Sequence, residues 1–237
     1  MGKTATAAPV LPGQDPRDVA RLFSARMDEY RESRERAGIT MERAYLMATP
    51  MGDFVIAYVE AEGDAGEAMM RLIQSDLAID RDFAAALQRV HGFDLSQAPA
   101  GPPPEVVGDW VDPDVTVRKQ GLAFCAPLIP GTTDLGREIA HEAFVTRRAE
   151  MTESRRALGQ SVEVVVVNST PQGDICCVYL EGDDPVEGNR GFAASTSAYD
   201  VWFKEQLTRI FPPVVDFSQP VPPIEQLWDY HRAAATV

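Results

Sequence analysis

The chain is written twice. Displaced by 121 residues, Glu32-Ser33-Arg34 falls on Glu153-Ser154-Arg155, Gly38 on Gly159, Glu42 on Glu163, and Thr49-Pro50-Met51-Gly52-Asp53 on Thr170-Pro171-Gln172-Gly173-Asp174. Tyr58 and Glu60 meet Tyr179 and Glu181, and 11 of the 29 positions from Glu32 to Glu60 are identical without a gap. The match extends both ways with small slips: Ala8-Pro9-Val10-Leu11-Pro12-Gly13 resembles Ala126-Pro127-Leu128-Ile129-Pro130-Gly131. Ser75, Asp80, Phe83, Leu87 and Arg89 match Ser195, Asp200, Phe203, Leu207 and Arg209, and Asp94-Leu95-Ser96-Gln97 matches Asp216-Phe217-Ser218-Gln219. A tandem repeat restricts the fold strongly, because one supersecondary unit must serve both halves.

The 237 residues suffice for two units of about 110 residues, each able to bury a core. The boundaries read from the repeat are 1–111 and 112–237, with 111–117 as linker. A content of 45% hydrophobic and 24% charged residues is that of a globular protein. The net charge of −14 repels phosphate, and no Lys/Arg stripe reverses it locally, so nucleic acid and anionic membrane surfaces are not expected partners. No apolar run approaches the roughly 20 residues of a spanning helix, and no apolar stretch follows Lys3 as a secretory leader requires. Cys125, Cys176 and Cys177 are odd in number, and neighbouring strand residues point to opposite sides. The expectation is a cytoplasmic protein with reduced thiols.

The order of elements follows from punctuation. Gln120 to Ile129 is an apolar run ended by Pro130-Gly131, a first strand. A helix is expected from Thr133 to Ala157, stopped by Gly159. In the first copy Asp15 and Pro16 start the same helix, and Gly38 ends it. Two strands follow, Glu163 to Asn168 and Asp174 to Glu181, joined by the Pro-x-Gly turn. A second helical stretch over 187–210 is broken near Ser195-Thr196-Ser197. Each copy closes with a Pro-rich tail, Pro102-Pro103-Pro104 or Pro220 to Pro223, and an acidic-aromatic end with room for a short fourth strand.

This order is a split βαβ, ferredoxin-like unit of α+β class. Phe54, Ile56 and Tyr58 alternate with Val55, Ala57 and Val59, so the strands are apolar on both sides and the sheet must be covered twice. The two copies are therefore expected to pack sheet to sheet. On this element order and the Thr-Pro-x-Gly-Asp hairpin, the chain resembles a single-chain, tandem version of the dimeric α+β barrel superfamily. That resemblance implies a barrel closed within one chain, without need of a homodimer, and a cavity for a small hydrophobic or aromatic molecule. The superfamily includes cofactor-free monooxygenases of the antibiotic-biosynthesis type, muconolactone-type isomerases and haem enzymes, so the resemblance leaves the reaction open.

Five residues are candidates for ligand binding. Tyr58 and Tyr179 occupy equivalent strand positions, and a phenol lining a cavity can orient a substrate; packing is the other explanation. Tyr45 stands opposite Val166 and Asn168 opposite Met47 in the repeat alignment, so a pocket kept in one half would show there, although drift after duplication has the same effect. His141 follows Glu138 by one helical turn, and Glu-x-x-His can supply two ligands from one side of a helix. Phe23 aligns near His141 and Asp82 with Trp202. Glu-Ser-Arg at the helix ends is read as complementing the helix dipole, and Asp80 and Asp200 as caps or breakers.

No metal is expected, because the cysteines lack ligand spacing. No cofactor is expected either, since phosphate-binding and dinucleotide-binding glycine patterns are missing. No Ser-His-Asp arrangement can be read. Two classes stay open: a cofactor-independent monooxygenase or isomerase acting on an apolar or aromatic substrate, and a non-catalytic small-molecule binder or stress-associated module. A haem enzyme ranks third, and requires a histidine directed into a pocket.

Overall fold

Both copies build the same series of elements, because their helix breakers and turn residues recur at the same spacing. The computed structural model describes residues 1–49, 52–94 and 101–232. The first copy runs β1 (Gly2–Pro9), α1 (Arg17–Ala25), α2 (Met27–Ala37), β2 (Ile39–Thr49), β3 (Gly52–Ala61), α3 (Ala65–Ile73), α4 (Ala78–His91) and β4 (Glu105–Val111). The second runs β5 (Gln120–Pro127), α5 (Thr133–His141), a π-helical turn (Glu142–Thr146), α6 (Arg148–Ala157), β6 (Gln160–Thr170), β7 (Gly173–Gly182), α7 (Pro185–Ala194), α8 (Ala198–Leu207) and β8 (Ile224–His231). Gly38 and Gly159 stop the first helices at φ 77° and 69°, a region that glycine enters without the steric penalty of a Cβ. The turn residues Pro50 and Met51, and Leu95-Ser96-Gln97 of the repeat match, lie outside the described residues.

The first helix of each copy, expected to be continuous, is broken at Arg26 and at Arg147. Arg26 Nε donates to Glu29 Oε1 and Arg147 Nε to Glu150 Oε1, both at 2.9 Å. Beyond that, Arg26 pairs with Asp82, whereas Arg147 lies 4.0 Å above the Trp202 ring. Asp82 and Trp202, which differ between the aligned copies, thus serve one purpose, an ion pair in one and a cation–π contact in the other. The two breaks are 121 residues apart, which sets Phe23 opposite Phe144 rather than near His141. Both phenylalanines are buried in their cores.

Two four-stranded sheets result, in the orders β1-β3-β2-β8 and β4-β6-β7-β5. The hairpin pairs β2–β3 and β6–β7, and the flanking pairs β1–β3, β5–β7 and β4–β6, are antiparallel. The tail strands exist, but each has changed sheets: β4 lies beside β6, and β8 beside β2. The compact units are therefore Met1–Pro103 with Glu225–Val237, and Pro104–Ile224. They differ from the repeats 1–111 and 112–237 by this reciprocal exchange. The crossings fall at Pro102-Pro103-Pro104 and just after Pro220 to Pro223, where proline cannot donate to a strand ladder.

One side of each sheet packs on helices. In unit 1 Phe23, Tyr30, Ile39, Val59, Leu72, Ile79 and Tyr230 form that core; in unit 2 it contains Trp110, Phe144, Met151, Val167, Cys176 and Phe203. Within each core sits the same buried ion group. Arg34 Nε donates to Glu42 Oε2 at 2.6 Å and Nη1 to Asp80 Oδ1 at 3.2 Å, while Ser33 Oγ donates to Asp80 Oδ1 at 2.6 Å. Arg155 repeats this with Glu163 and with Asp200 at 3.3 Å, and Ser154 Oγ donates to Asp200 Oδ1 at 2.6 Å. Phe23, Tyr30 and Phe83 surround the Arg34 guanidinium at 4.3–5.2 Å. These arginines, expected as dipole partners at helix ends, tie helix to strand to second helix inside the core.

Candidate functional site

The sheet side turned away from the helices carries the polar groups of interest. Val59 and Ala61 face the helices, so strand alternation places Ile56, Tyr58 and Glu60 on the other side. Tyr58 Oη donates to Glu60 Oε1 at 2.7 Å, and Tyr179 Oη to Glu181 Oε1 at 2.6 Å. Both tyrosines are 0% exposed and both glutamates 1%. A buried carboxylate is costly unless hydrogen-bonded, and the phenol two residues earlier supplies such a bond in each copy. Arg118 Nη1 adds a further contact to Glu181 Oε1 at 3.0 Å.

Tyr45 is buried and pairs in register with Ile56, so it shares the side of Tyr58 in unit 1. Asn168 is in register with Ile175, and its Nδ2 donates to Cys177 Sγ at 3.4 Å on the Tyr179 side of unit 2. Burial, with Cys125 and Cys176 nearby, pushes the Cys177 thiol well above its ordinary value, which makes it a poor nucleophile. His141 does not join these groups. It is exposed at the end of α5, beside exposed Glu138, and the requirement for a haem reading, a histidine directed into a pocket, is not met there. Among the described residues no three His, Cys, Asp or Glu side chains are arranged to hold a metal ion.

Sequence reading missed a second polar group on the same side of unit 1. Arg43 in β2 is the register partner of Tyr58. Its Nε donates to Asp229 Oδ1 at 2.9 Å, and its Nη2 lies 2.7 Å from His231 Nε2, which itself lies 2.8 Å from Asp229 Oδ1. Burial works against the Asp229 charge, but His231 and Arg43 outweigh it and hold the carboxyl at about 2. The signal was available as an asymmetry between the copies, since the positions matching Arg43 and His231 hold Val164 and Val111. The Tyr–Glu pairs were legible as identical positions, but the pairing of Tyr with Glu two residues on becomes visible only once the strand is built.

Two surface grooves lie elsewhere in unit 1. One of about 560 Å³ is lined by Arg17, Ala20, Arg21, Ser24, Glu225 and Leu227, and one of about 320 Å³ by Ser33, Arg36, Arg71, Leu72, Ser75 and Asp76. Neither contains a sequence-predicted candidate. Among the described residues no helix is long and apolar enough to cross a membrane.

The α+β fold is shared along nearly the whole chain by three solved structures. A solved "putative monooxygenase" of Lactobacillus acidophilus NCFM superposes with a TM-score of 0.56 at 9% identity, over 98% of this chain and 97% of that one. A second "putative monooxygenase", from Fusobacterium nucleatum subsp. nucleatum ATCC 25586, gives 0.54 at 10% identity over 97% and 94%. An anthrone oxidase-like protein gives 0.50 at 9% identity over 98% and 95%. At these identities the likeness is one of fold. No protein-family model matches the chain, and no curated protein matches it by sequence.

Proposed function

We propose that the protein is a cofactor-independent monooxygenase acting on an apolar aromatic molecule of phenol or anthrone type. The observation that carries this reading is the buried Tyr–Glu pair on the helix-free side of each sheet, in a fold shared along its whole length with monooxygenase-like proteins. An anthrone-type substrate is weakly acidic. Loss of a proton leaves a carbanion that dioxygen oxidises directly: one oxygen atom becomes the new carbonyl, and the other leaves as water with the two hydrogens of the methylene. The protein's task is to orient the ring, exclude water and hold the anion, the last of which a buried phenol O–H can do by donating to it. Isomerase chemistry would use the same proton removal and return the proton to another carbon.

The test is oxygen uptake and product mass with anthrone and a hydroquinone, for the wild-type protein and for Tyr58→Phe and Tyr179→Phe. Turnover above the spontaneous rate, reduced in one or both variants, supports the reading. Absence of both oxidised and isomerised product overturns it.

A non-catalytic binder is favoured by one observation: each tyrosine hydroxyl is already engaged by its glutamate at full burial. That reading predicts that the same compounds raise the melting temperature without being consumed.

A further inference from the structure

Strand register sorts the cysteines of unit 2 into a pair and a single residue. All three are free and buried. Cys176 belongs to the helix-side core, so its neighbour Cys177 points to the helix-free side. Cys125 on β5 is the register partner of Cys177 on β7, which sets the two side chains next to each other on that side. Cys176 has Ala126 opposite it instead.

The phase of the ladder adds a distance. Leu128 N donates to Asp174 O at 2.9 Å, and these two residues continue the β5–β7 register by one step, so they form a hydrogen-bonded pair. Bonded and non-bonded pairs alternate along an antiparallel ladder. Pro127 and Ile175 are then a non-bonded pair, as a proline without an N–H requires; Ala126 and Cys176 are bonded, and Cys125 and Cys177 non-bonded. In a non-bonded pair the Cα atoms stand about 4.5 Å apart, inside the range of about 4.4–6.8 Å that a disulfide spans.

The fold does not need sulfur at this place. In unit 1 the matching residues are Ala7 and Ile56, themselves register partners. A methyl group and a branched alkyl chain pack where unit 2 holds two thiols.

We propose that Cys125 and Cys177 are a redox modification site, a cross-strand dithiol that a hydroperoxide closes to a disulfide. The site is independent of the monooxygenase reading. Cys125 reacts first, because it is 8% exposed and Cys177 0%. With hydrogen peroxide its sulfur attacks one oxygen: an S–O bond forms, the O–O bond breaks, and the thiol proton leaves with the other oxygen as water. The Cys177 sulfur then attacks the sulfenic sulfur: the S–S bond forms, the S–O bond breaks, and the hydroxyl leaves with the Cys177 proton as a second water. The two sulfurs give up two electrons, and the peroxide takes them.

Burial pushes the Cys125 thiol up to about 12, so thiolate is scarce near neutrality and closure is slow. The pair therefore answers sustained rather than brief exposure to oxidant. The bridge would tie β5 to β7 two residues before Tyr179 and on its side, stiffening the strand that carries the Tyr179–Glu181 pair.

The test treats the folded, full-length protein with hydrogen peroxide at about pH 9, where more thiolate is present, and then alkylates it in denaturant. The expected product is lighter by about 2 Da before alkylation, gives a digest peptide joining Cys125 to Cys177, and carries the alkyl label on Cys176 alone. Cys176→Ala should close as the wild type does. Cys125→Ala, which installs the residue of unit 1, should give no linked peptide. Because the bridge closes a loop over residues 126–176, the oxidised protein should melt higher by roughly 10 °C. Dithiothreitol should reverse that shift, and Cys125→Ala should not show it.

Three labelled cysteines after peroxide treatment, a bridge through Cys176, or a bridge that forms only in urea overturns the proposal. So does a Cys125 carried to sulfinic acid without linkage, since a neighbouring thiol would have intercepted the sulfenic acid.

Discussion

Trp228 Nε1 donates to Tyr30 Oη at 2.7 Å, and Tyr30 Oη in turn donates to Glu42 Oε2 at 2.8 Å. A residue of the last strand is thereby fixed to the first helix pair and, through Glu42, to the buried Arg34. In unit 2 the exchanged strand β4 is held in a related way, by Trp110 Nε1 donating to Thr152 Oγ1 at 2.9 Å. Trp228→Phe keeps most of the ring contacts with Phe23 and Tyr30 but loses the hydrogen bond. Urea unfolding should show a loss of about 1 kcal/mol, and Trp228→Ala about 3 kcal/mol.

Arg155 is the keystone of the buried ion group in unit 2. Its removal leaves Glu163 and Asp200 without their cation among aromatic rings. Arg155→Met should cost about 3–5 kcal/mol, the usual cost of breaking a buried pair on one side. Arg155→Met combined with Glu163→Leu should cost less than the single Arg155→Met variant. A double variant worse than the single one would show that the group is not coupled in this way.

Asp229 makes stability depend on acid. Its carboxyl is held at about 2 against an ordinary 3.8, so the folded state binds the proton less readily than the unfolded chain. The contribution is present above about pH 4 and is lost as the pH falls toward 2. The side chain is 41% exposed, so solvent screening reduces the value to about 1 kcal/mol. Stability measured between pH 5 and pH 2 should fall more steeply in the wild-type protein than in Asp229→Asn.

Gly108 has no space for a side chain. A Cβ there would lie 2.7 Å from Cε2 and Cζ of Phe144, at the irregularity where the β4–β6 register shifts. Gly108→Ala should destabilise by about 1–3 kcal/mol through overpacking. Adding Phe144→Leu should recover part of that loss, because the clash is with the ring edge.

Ser197 caps α8 by accepting from Asp200 N at 3.2 Å, and its hydroxyl donates to Asp200 Oδ2 at 2.8 Å. The matching position of the first copy is Leu77, and there Asp80 Oδ2 is buried with no hydrogen-bond partner among the described residues. Ser197→Ala should cost about 1–2 kcal/mol in thermal unfolding, and more than Ser75→Ala in the first copy, where no serine reaches Asp80 Oδ2.

Much of the fold was legible because its signals are local. Gly38 and Gly159 ended helices as expected, Ser195-Thr196-Ser197 broke the second helical stretch, and both hairpins formed between the predicted strands. The break at Arg26 and Arg147 was not legible, since neither glycine nor proline marks it. The exchange of β4 and β8 escaped for a different reason: β4 and β8 carry similar sequences, so periodicity cannot say which sheet each one joins. For the site, identity between copies drew the eye to Tyr58 and Tyr179. The Arg43–Asp229–His231 group joins residues 188 positions apart, and only the pairing of β8 with β2 brings them together.

The exchange also sets an order of events on the ribosome. Strand β2 is complete at Thr49, but its outer neighbour β8 begins only at Ile224, which at 5–20 residues per second is a delay of roughly 10–35 seconds. During that interval β4 is the first tail strand to emerge, and it is the homologue of the strand that β2 awaits. A transient pairing of β4 with its own repeat would protect the open edge of β2 from other chains, and would have to be released before β6 could claim it.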